Sequence, residues 1–406
     1  MTSVLLDRGA LGPSWLVEGG SLVRAPGGGA PDGVRSLDCA GERRVELRPG
    51  AVNAHTHLYS GLVPFGMPAP APPPTRFLEI LQRVWWRLDR ALDERSLRAS
   101  ARWAIAEALL AGTTALVDHH ESPSFIEGSL DVLADAAQEL GARVVVAYGA
   151  TERNGGREEA KRGLAECERF AKANRRPLVT GLVALHASFT VSDETLRDAG
   201  ELARALGVGV HVHVAEDGAD VEDARRRGYA GPLERLLALG ALPACSVVAH
   251  GVHLDQAQVR RVDRAGAWLV HNPRSNEGNR VGYASALRAS DHVALGTDGW
   301  PAEMDVERDA LRRLGRANGD TEPVLDAQIT GGWGLLGVLT GSRFGRVDPG
   351  MPADLVIGVP GEKPRHVLVD GRPVVVDGAL VTAELEEVRA HAREEAARLW
   401  ARMASV

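Results

Sequence analysis

Eight short runs rich in β-branched and small apolar residues recur through the middle of this 406-residue chain, with helix-spaced stretches between most of them. They read RPGAVNAHTH, GTTALVDHH, ARVVVAYGA, LVTGLVALHA, VGVHVHVAED, SVVAHGVHLD, AWLVHNPR and HVALGTDG. Strands alternating with helical segments such as SLRASARWAIAEALLAG and TLRDAGELARALG predict a βα repeat, and eight copies close most economically into an α/β fold, the (β/α)8 TIM barrel. The chain exceeds the ~250 residues of a bare barrel, so a smaller unit is expected beside it. Its source is visible at the two ends, where short apolar runs are joined by Gly, Pro and Asp-Gly turns (SWLVEGGSLVRAPGGG, HVLVDGRPVVVDGALV), a hairpin signature. Residues 1–50 and 345–383 are therefore expected to form one small β-sandwich, with the barrel over 51–344. The Ala-, Glu- and Arg-rich stretch 384–406 reads as a terminal docking helix.

Most of the 13 histidines sit at the C-terminal ends of the proposed strands, the face on which barrel enzymes build their active sites. His55 and His57 have period-2 spacing, so both rings leave the first strand on one side and point into the barrel mouth. His211 and His213 repeat that spacing in the fifth strand, with Glu216 three residues on. His213 supplies a third nitrogen donor and Glu216 a proton shuttle beside a bound water. Asp298, in the eighth strand's GTDG, completes a three-histidine, one-aspartate metal site and is also placed to take a proton. His250 and His253 end the sixth strand and His271 the seventh. His119, His120 and His253 are left undecided between ligand and packed residue, whereas His211, one layer deeper than His213, is expected to be packed and hydrogen-bonded. Any one of these histidines has a bland reading as a satisfied core residue; the shared face carries the metal-site inference.

Composition removes other classes. Forty-seven basic against 54 acidic residues, a formal charge of -7, leave no basic stripe for a phosphate backbone, so no nucleic-acid partner is expected. No run approaches the ~18 apolar residues of a membrane span, and the first residues do not read as an export signal. Cys39, Cys167 and Cys245 are too few and scattered for a disulfide framework, which suits a reducing cytoplasm. A homodimer is the default expectation for assembly. The proline-rich PAPAPPPT at 68–75 follows the first strand and reads as a rim segment or a solvated spacer.

The segments PGAVNAHTHLYSGLVPFGMP, GVHVHVAED, VVAHGVHLD, HNPRSNEGN and ALGTDG resemble the cytosine deaminase, chlorohydrolase and guanine deaminase branch of the amidohydrolase superfamily, across nearly the whole chain. WWRLDRALDERSL, VDHHESPSFIEGSLDVLADA and LHASFTVSDETL are most similar to the SsnA-type aminohydrolases of that branch. The resemblance implies that His55, His57, His213 and Asp298 hold one divalent metal ion, zinc or in some members iron. It assigns the proton shuttle to Glu216, the orientation of the attacking water to His250, and a substrate contact to His186. Relatives with two metals carry a bridging lysine in the fourth strand; GLVALHASFT has none, so one ion is expected.

The chemistry expected is hydrolytic removal of an amino group, as ammonia, from a carbon flanked by ring nitrogens in a small heterocycle or cyclic amidine, with Glu216, His250 and Asp298 handling protons. The rival on the same machinery is another leaving group, chloride or an imine. A further rival, of a different class, is a barrel without turnover. Trp85, Trp86, Arg153, Asn276 and Trp300, with His186, are candidates to read a planar ring. Purine, pyrimidine, pterin and triazine rings all stay open.

Overall fold

The computed structural model describes the short strands at 4–7, 15–18, 21–24 and 35–38 and all of residues 46–406. Cys39 lies outside the described residues. β1 (Val4–Asp7), β2 (Trp15–Glu18), β3 (Ser21–Arg24) and β4 (Arg35–Asp38) make one sheet in the order β3-β2-β1-β4. β5 (Glu46–Pro49) leaves that sheet and pairs antiparallel with a strand from the far end of the chain.

All eight predicted runs are strands, two of them interrupted. β6 (Ala51–Thr56), β7 (Thr113–Asp118), β8 (Arg143–Val146) and β10 (Val179–Gly181) form one parallel sheet in the order β10-β8-β7-β6. β9 (Gly149–Ala150), β11 (Val183–Ala187), β12 (Val210–Val214), β13 (Val247–His250), β14 (Trp268–His271) and β15 (Val293–Leu295) form a second, ordered β15-β14-β13-β12-β11-β9. The runs β8–β9 and β10–β11 pass from one sheet to the other. At the opposite edges, Thr297 and Asp298 donate their backbone N–H groups to His55 O at 3.0 and 2.9 Å, just beyond β15. Gly296 permits that approach, since a Cβ there would stand 2.8 Å from the His55 backbone.

Burial on both faces explains why the runs lack polar alternation. Ala115 and Val117 of β7 face an inner cluster with Val52, Ala54, Val145, Ala147, Ala184, Val247, Val270 and Ala294, while Leu116 joins Val144, Leu185, Val212, Val248 and Leu269 in the larger core. Helices such as Glu94–Leu110, capped by Asp93, and Asp193–Leu206, capped by Ser192, return the chain between strands, their side-chain oxygens satisfying first-turn N–H groups. No helix among the described residues is long and apolar enough to cross a membrane.

β16 (Leu355–Gly358), β17 (His366–Val369), β18 (Arg372–Val376) and β19 (Ala379–Leu380) extend β5 into a five-stranded sheet. Sequence from both ends is thus joined in one sheet, and Leu22 adds reciprocal backbone bonds to the 350–351 turn. Gly50 alone separates β5 from β6, because a Cβ at that point would lie 2.1 Å from Thr114 Oγ1. Arg143, at the start of β8, makes a bidentate pair with Asp354, beside β16, at 2.9 and 3.0 Å, both side chains buried. The final helix, Leu385–Met403, runs along Glu94–Leu110, with Trp400 Nε1 donating to Phe65 O and Arg402 reaching Asp93. The 68–75 segment is largely exposed at the rim, where Arg83 holds the Pro72 and Pro73 carbonyls.

Candidate metal centre and active site

β6, β12 and β15 deliver the four expected ligands to one point: the donor atoms of His55, His57, His213 and Asp298 all lie within 4.8 Å of one another. Tautomers follow from their partners. His57 Nδ1 donates to His119 O and His213 Nδ1 donates to His186 O, each at 2.5 Å; a carbonyl only accepts, so both Nε2 atoms are bare lone pairs when the rings are neutral. Those two atoms face each other at 3.3 Å. Asp298 Oδ1 lies 2.8 Å from His57 Nε2 and 3.4 Å from His55 Nε2, and the buried His55 Nε2 has no hydrogen-bond partner. Three imidazole nitrogens and one carboxylate oxygen, converging without a donor to satisfy them, fit a divalent cation of the zinc type.

The second layer fixes these rings. His211 Nε2 meets His55 Nδ1 at 2.9 Å, the packed role expected for it. Ser275 Oγ donates to Asp298 Oδ2 and accepts from Asn279 Nδ2 at 3.2 Å. Burial alone would raise the Asp298 carboxyl, but the His55 and His57 imidazoles beside it hold it well below its usual range.

The proton-handling candidates stand beside the ligands. His250 Nδ1 donates to Asn276 Oδ1 at 2.9 Å, leaving Nε2, buried and unpartnered, 3.7 Å from Glu216 Oε2. Asn279 Nδ2 reaches Glu216 Oε1 at 3.3 Å. Burial, reinforced by the charge of Asp298, holds the Glu216 carboxyl well above its ordinary value, and burial lowers His250. Ala215, His250 and Asp298 all have positive φ (52°, 72° and 55°), a costly backbone state for non-glycine residues that clusters at functional sites.

His57, His213, Glu216 and Asp298 open onto a cavity walled by Tyr59, Phe77, Trp85, Trp86, His186 and Phe189. Trp85 ends a π-helical turn, Leu81–Trp85, a geometry common at functional sites. Trp86 carries the Arg153 guanidinium over its ring at 5.0 Å, and Arg153 is paired with buried Asp89 at 2.7 Å. Three expected ring contacts lie elsewhere, the first being Arg153, which backs Trp86 rather than lining the cavity. Asn276 does not line the cavity and is turned onto His250, and Trp300, 46% exposed, lines a neighbouring apolar cavity. His271 is committed to Gln328, His120 to Ser122, and His253 is exposed. Sequence reasoning missed Glu121, Ser275 and Asn279. The i, i+4 spacing of the last two in PRSNEGN places them on one helix face, and the carboxylate after His119-His120 at a strand end was a readable signal for the first.

The amidohydrolase family profile matches residues 47–374, and the chain belongs to that family. Its branch is the one of deaminases and chlorohydrolases expected from the sequence. A 5-methylthioadenosine/S-adenosylhomocysteine deaminase of Archaeoglobus fulgidus is 30% identical over 395 residues, covering 89% of each chain. An 8-oxoguanine deaminase of Pseudomonas aeruginosa is 28% identical over 427 residues, covering 95% of this chain and 94% of its own. Among solved structures, an adenosine deaminase from Xanthomonas campestris with bound zinc superposes with a TM-score of 0.82 at 24% identity, over 98% of both chains. An atrazine chlorohydrolase from Arthrobacter aurescens complexed with zinc superposes with 0.78 at 20% identity, again over 98% of both. At these identities the structural likeness speaks for the fold.

Proposed function

We propose that this chain is a mononuclear metal-dependent aminohydrolase that removes an amino group, as ammonia, from a small amino-substituted N-heterocycle. The carrying observation is the grouping of Glu216, His250 and Asp298, whose donor atoms lie within 4.8 Å of one another, against the His55, His57, His213 and Asp298 cluster in an aromatic-walled cavity. The deaminase names of relatives that match along most of the chain support the same reaction class.

His55, His57, His213 and Asp298 would hold one ion, zinc or alternatively iron. When bound, such an ion lowers the pKa of water from 15.7 to about 7. The remaining work belongs to the chain. Asp298 and His250 Nε2 orient the attacking water and accept its proton. Glu216, kept protonated by its surroundings, donates to a ring nitrogen, making the adjacent carbon electrophilic; it then takes the proton of the added hydroxyl and passes it to the departing amine, and the proton held by Asp298 or His250 restores it. Trp85, Trp86, His186 and Phe189 hold the ring. The two parallel sheets are taken as one closed (β/α)8 barrel over 51–344, flanked by a small β-sandwich from 1–50 and 345–383 and by a docking helix from 384–406.

The test is ammonia release from a panel of amino-purines, amino-pyrimidines, pterins and amino-triazines, with zinc and iron assayed on the same protein. Ammonia from one ring class at one metal per chain is the expected result. Chloride from a chloro-triazine without ammonia from any ring would overturn the deaminase reading.

A further inference from the structure

The cavity wall holds a buried glutamate that lies outside the proposed chemistry. Glu121 lies just beyond β7 and is 1% exposed, yet it lines the same cavity as Glu216 and His186. Gly149 makes room for it, since a Cβ there would stand 2.6 Å from its Oε1. That oxygen pairs with His119 Nδ1 at 2.7 Å, and His119 Nε2 is in turn engaged by Leu185 O at 3.0 Å. The other oxygen, Oε2, receives no hydrogen bond. His57 Nδ1 stands 3.7 Å away but is already spent on His119 O.

Each neighbouring carboxylate is engaged by a donor through one oxygen, although Asp89 Oδ1 and Asp220 Oδ1 are themselves buried without a partner. Asp217 and Asp220 accept from the backbone N–H groups of Ala219 and Ala215, Asp89 is paired with Arg153, and Glu216 and Asp298 serve the reaction. No lysine or arginine is among the residues that line the cavity. A buried acceptor left without a donor is costly to keep, and an acceptor of that kind in a ligand cavity is met by a donor on the ligand.

We propose, building on the deaminase reading, that Glu121 Oε2 accepts a hydrogen bond from an N–H of the bound ring and so selects substrates. The substrate class is then an uncharged amino-heterocycle with a second N–H on an edge away from the departing amine. Compounds bearing a phosphate or carboxylate find no lysine or arginine in the cavity lining to pair with.

The test is calorimetric binding of an aminopurine and its singly N-methylated isomers to metal-loaded protein, in parallel with ammonia release. Methylation blocks one donor at a time. In the unaltered protein, methylation at one particular nitrogen is expected to weaken binding at least about tenfold. Glu121→Gln, whose amide can rotate to present either an acceptor or a donor, should shrink that one penalty to within about threefold, with metal content unchanged. A 5′-phosphate should abolish binding of a nucleoside that otherwise binds. Equal affinity for every methylated isomer in the unaltered protein overturns the proposal without any variant. So does a Glu121→Gln protein that loses affinity uniformly or loses its metal while keeping the methylation pattern, which is the behaviour of a residue that only positions His57 and His119. Rings that bind with the expected pattern but release no ammonia would instead remove the deaminase reading, and no ring binding at all would remove both.

Discussion

His57 and His213 point their Nε2 atoms at each other across 3.3 Å while each spends its Nδ1 proton on a main-chain carbonyl. Without a cation, a proton must fill the gap. Burial disfavours charge on the His57 ring, but the Asp298 carboxylate outweighs it and raises that imidazole to about 9. Metal binding at pH 7 should therefore expel the His57 proton in addition to any lost by the bound water, and the His57 part should fade as pH rises through about 9, where the metal-free ring has already lost it. Calorimetric metal titration in buffers of different ionisation heat measures this. Binding heats independent of buffer would show that the ligands meet the metal already deprotonated.

Glu216→Gln should leave the metal in place and lower ammonia release by a factor of at least about 100, the usual size of a lost general acid–base. Metal content and turnover measured on the same sample decide it. Full activity in the variant would take Glu216 out of the proton path.

The pH dependence of kcat/KM should be bell-shaped, with both limbs set by burial. Protonated Glu216 is required, so activity falls as pH rises through its elevated value. Neutral His250 is required, so activity falls as pH drops through its depressed one. A rate that continues to climb at alkaline pH would contradict a proton donated by Glu216.

Ser275→Ala removes the hydroxyl that donates to Asp298 Oδ2. Loss of such a supporting hydrogen bond weakens metal binding by roughly 10- to 100-fold in comparable centres. Competition against a chelator, followed by zinc release, reads the change. Unaltered affinity would mean that Asp298 is held by the protein without this contact.

Arg143 and Asp354 tie the start of β8 to the strand hairpins, far from the strand ends that carry the chemistry. Arg143→Ala leaves a buried carboxylate unpaired and should cost about 3–5 kcal/mol of stability. Thermal unfolding should register the loss, while metal content per folded chain stays at the unaltered level.

Strand positions were legible because parallel strands buried on both faces spell themselves as unbroken apolar runs, and the ligands were legible because period-2 spacing put His55 and His57 on one side. The cavity wall was not. Trp300 and Asn276 lie close in sequence to strand ends, but one is exposed beyond the wall and the other turned onto His250, since loop direction, not loop position, decides where a side chain goes. Glu121 could have been suspected from its place after two histidines at a strand end, but without tertiary neighbours the sequence says nothing about whether its oxygens find donors.

Gly50 gives the architecture a property of its own. One residue separates the strand held by β16 from the strand that carries His55 and His57, and the crowding against Thr114 admits no side chain there. Side chains alternate faces along a strand, so at that junction an insertion of one residue would bring Ala54 and Thr56, and a deletion Thr56 and Leu58, to the cavity in place of the histidines. The outlying sheet thus acts as a ruler for the catalytic strand: loops at the rim can lengthen and diversify freely, whereas the spacing between β5 and β6 tolerates no drift.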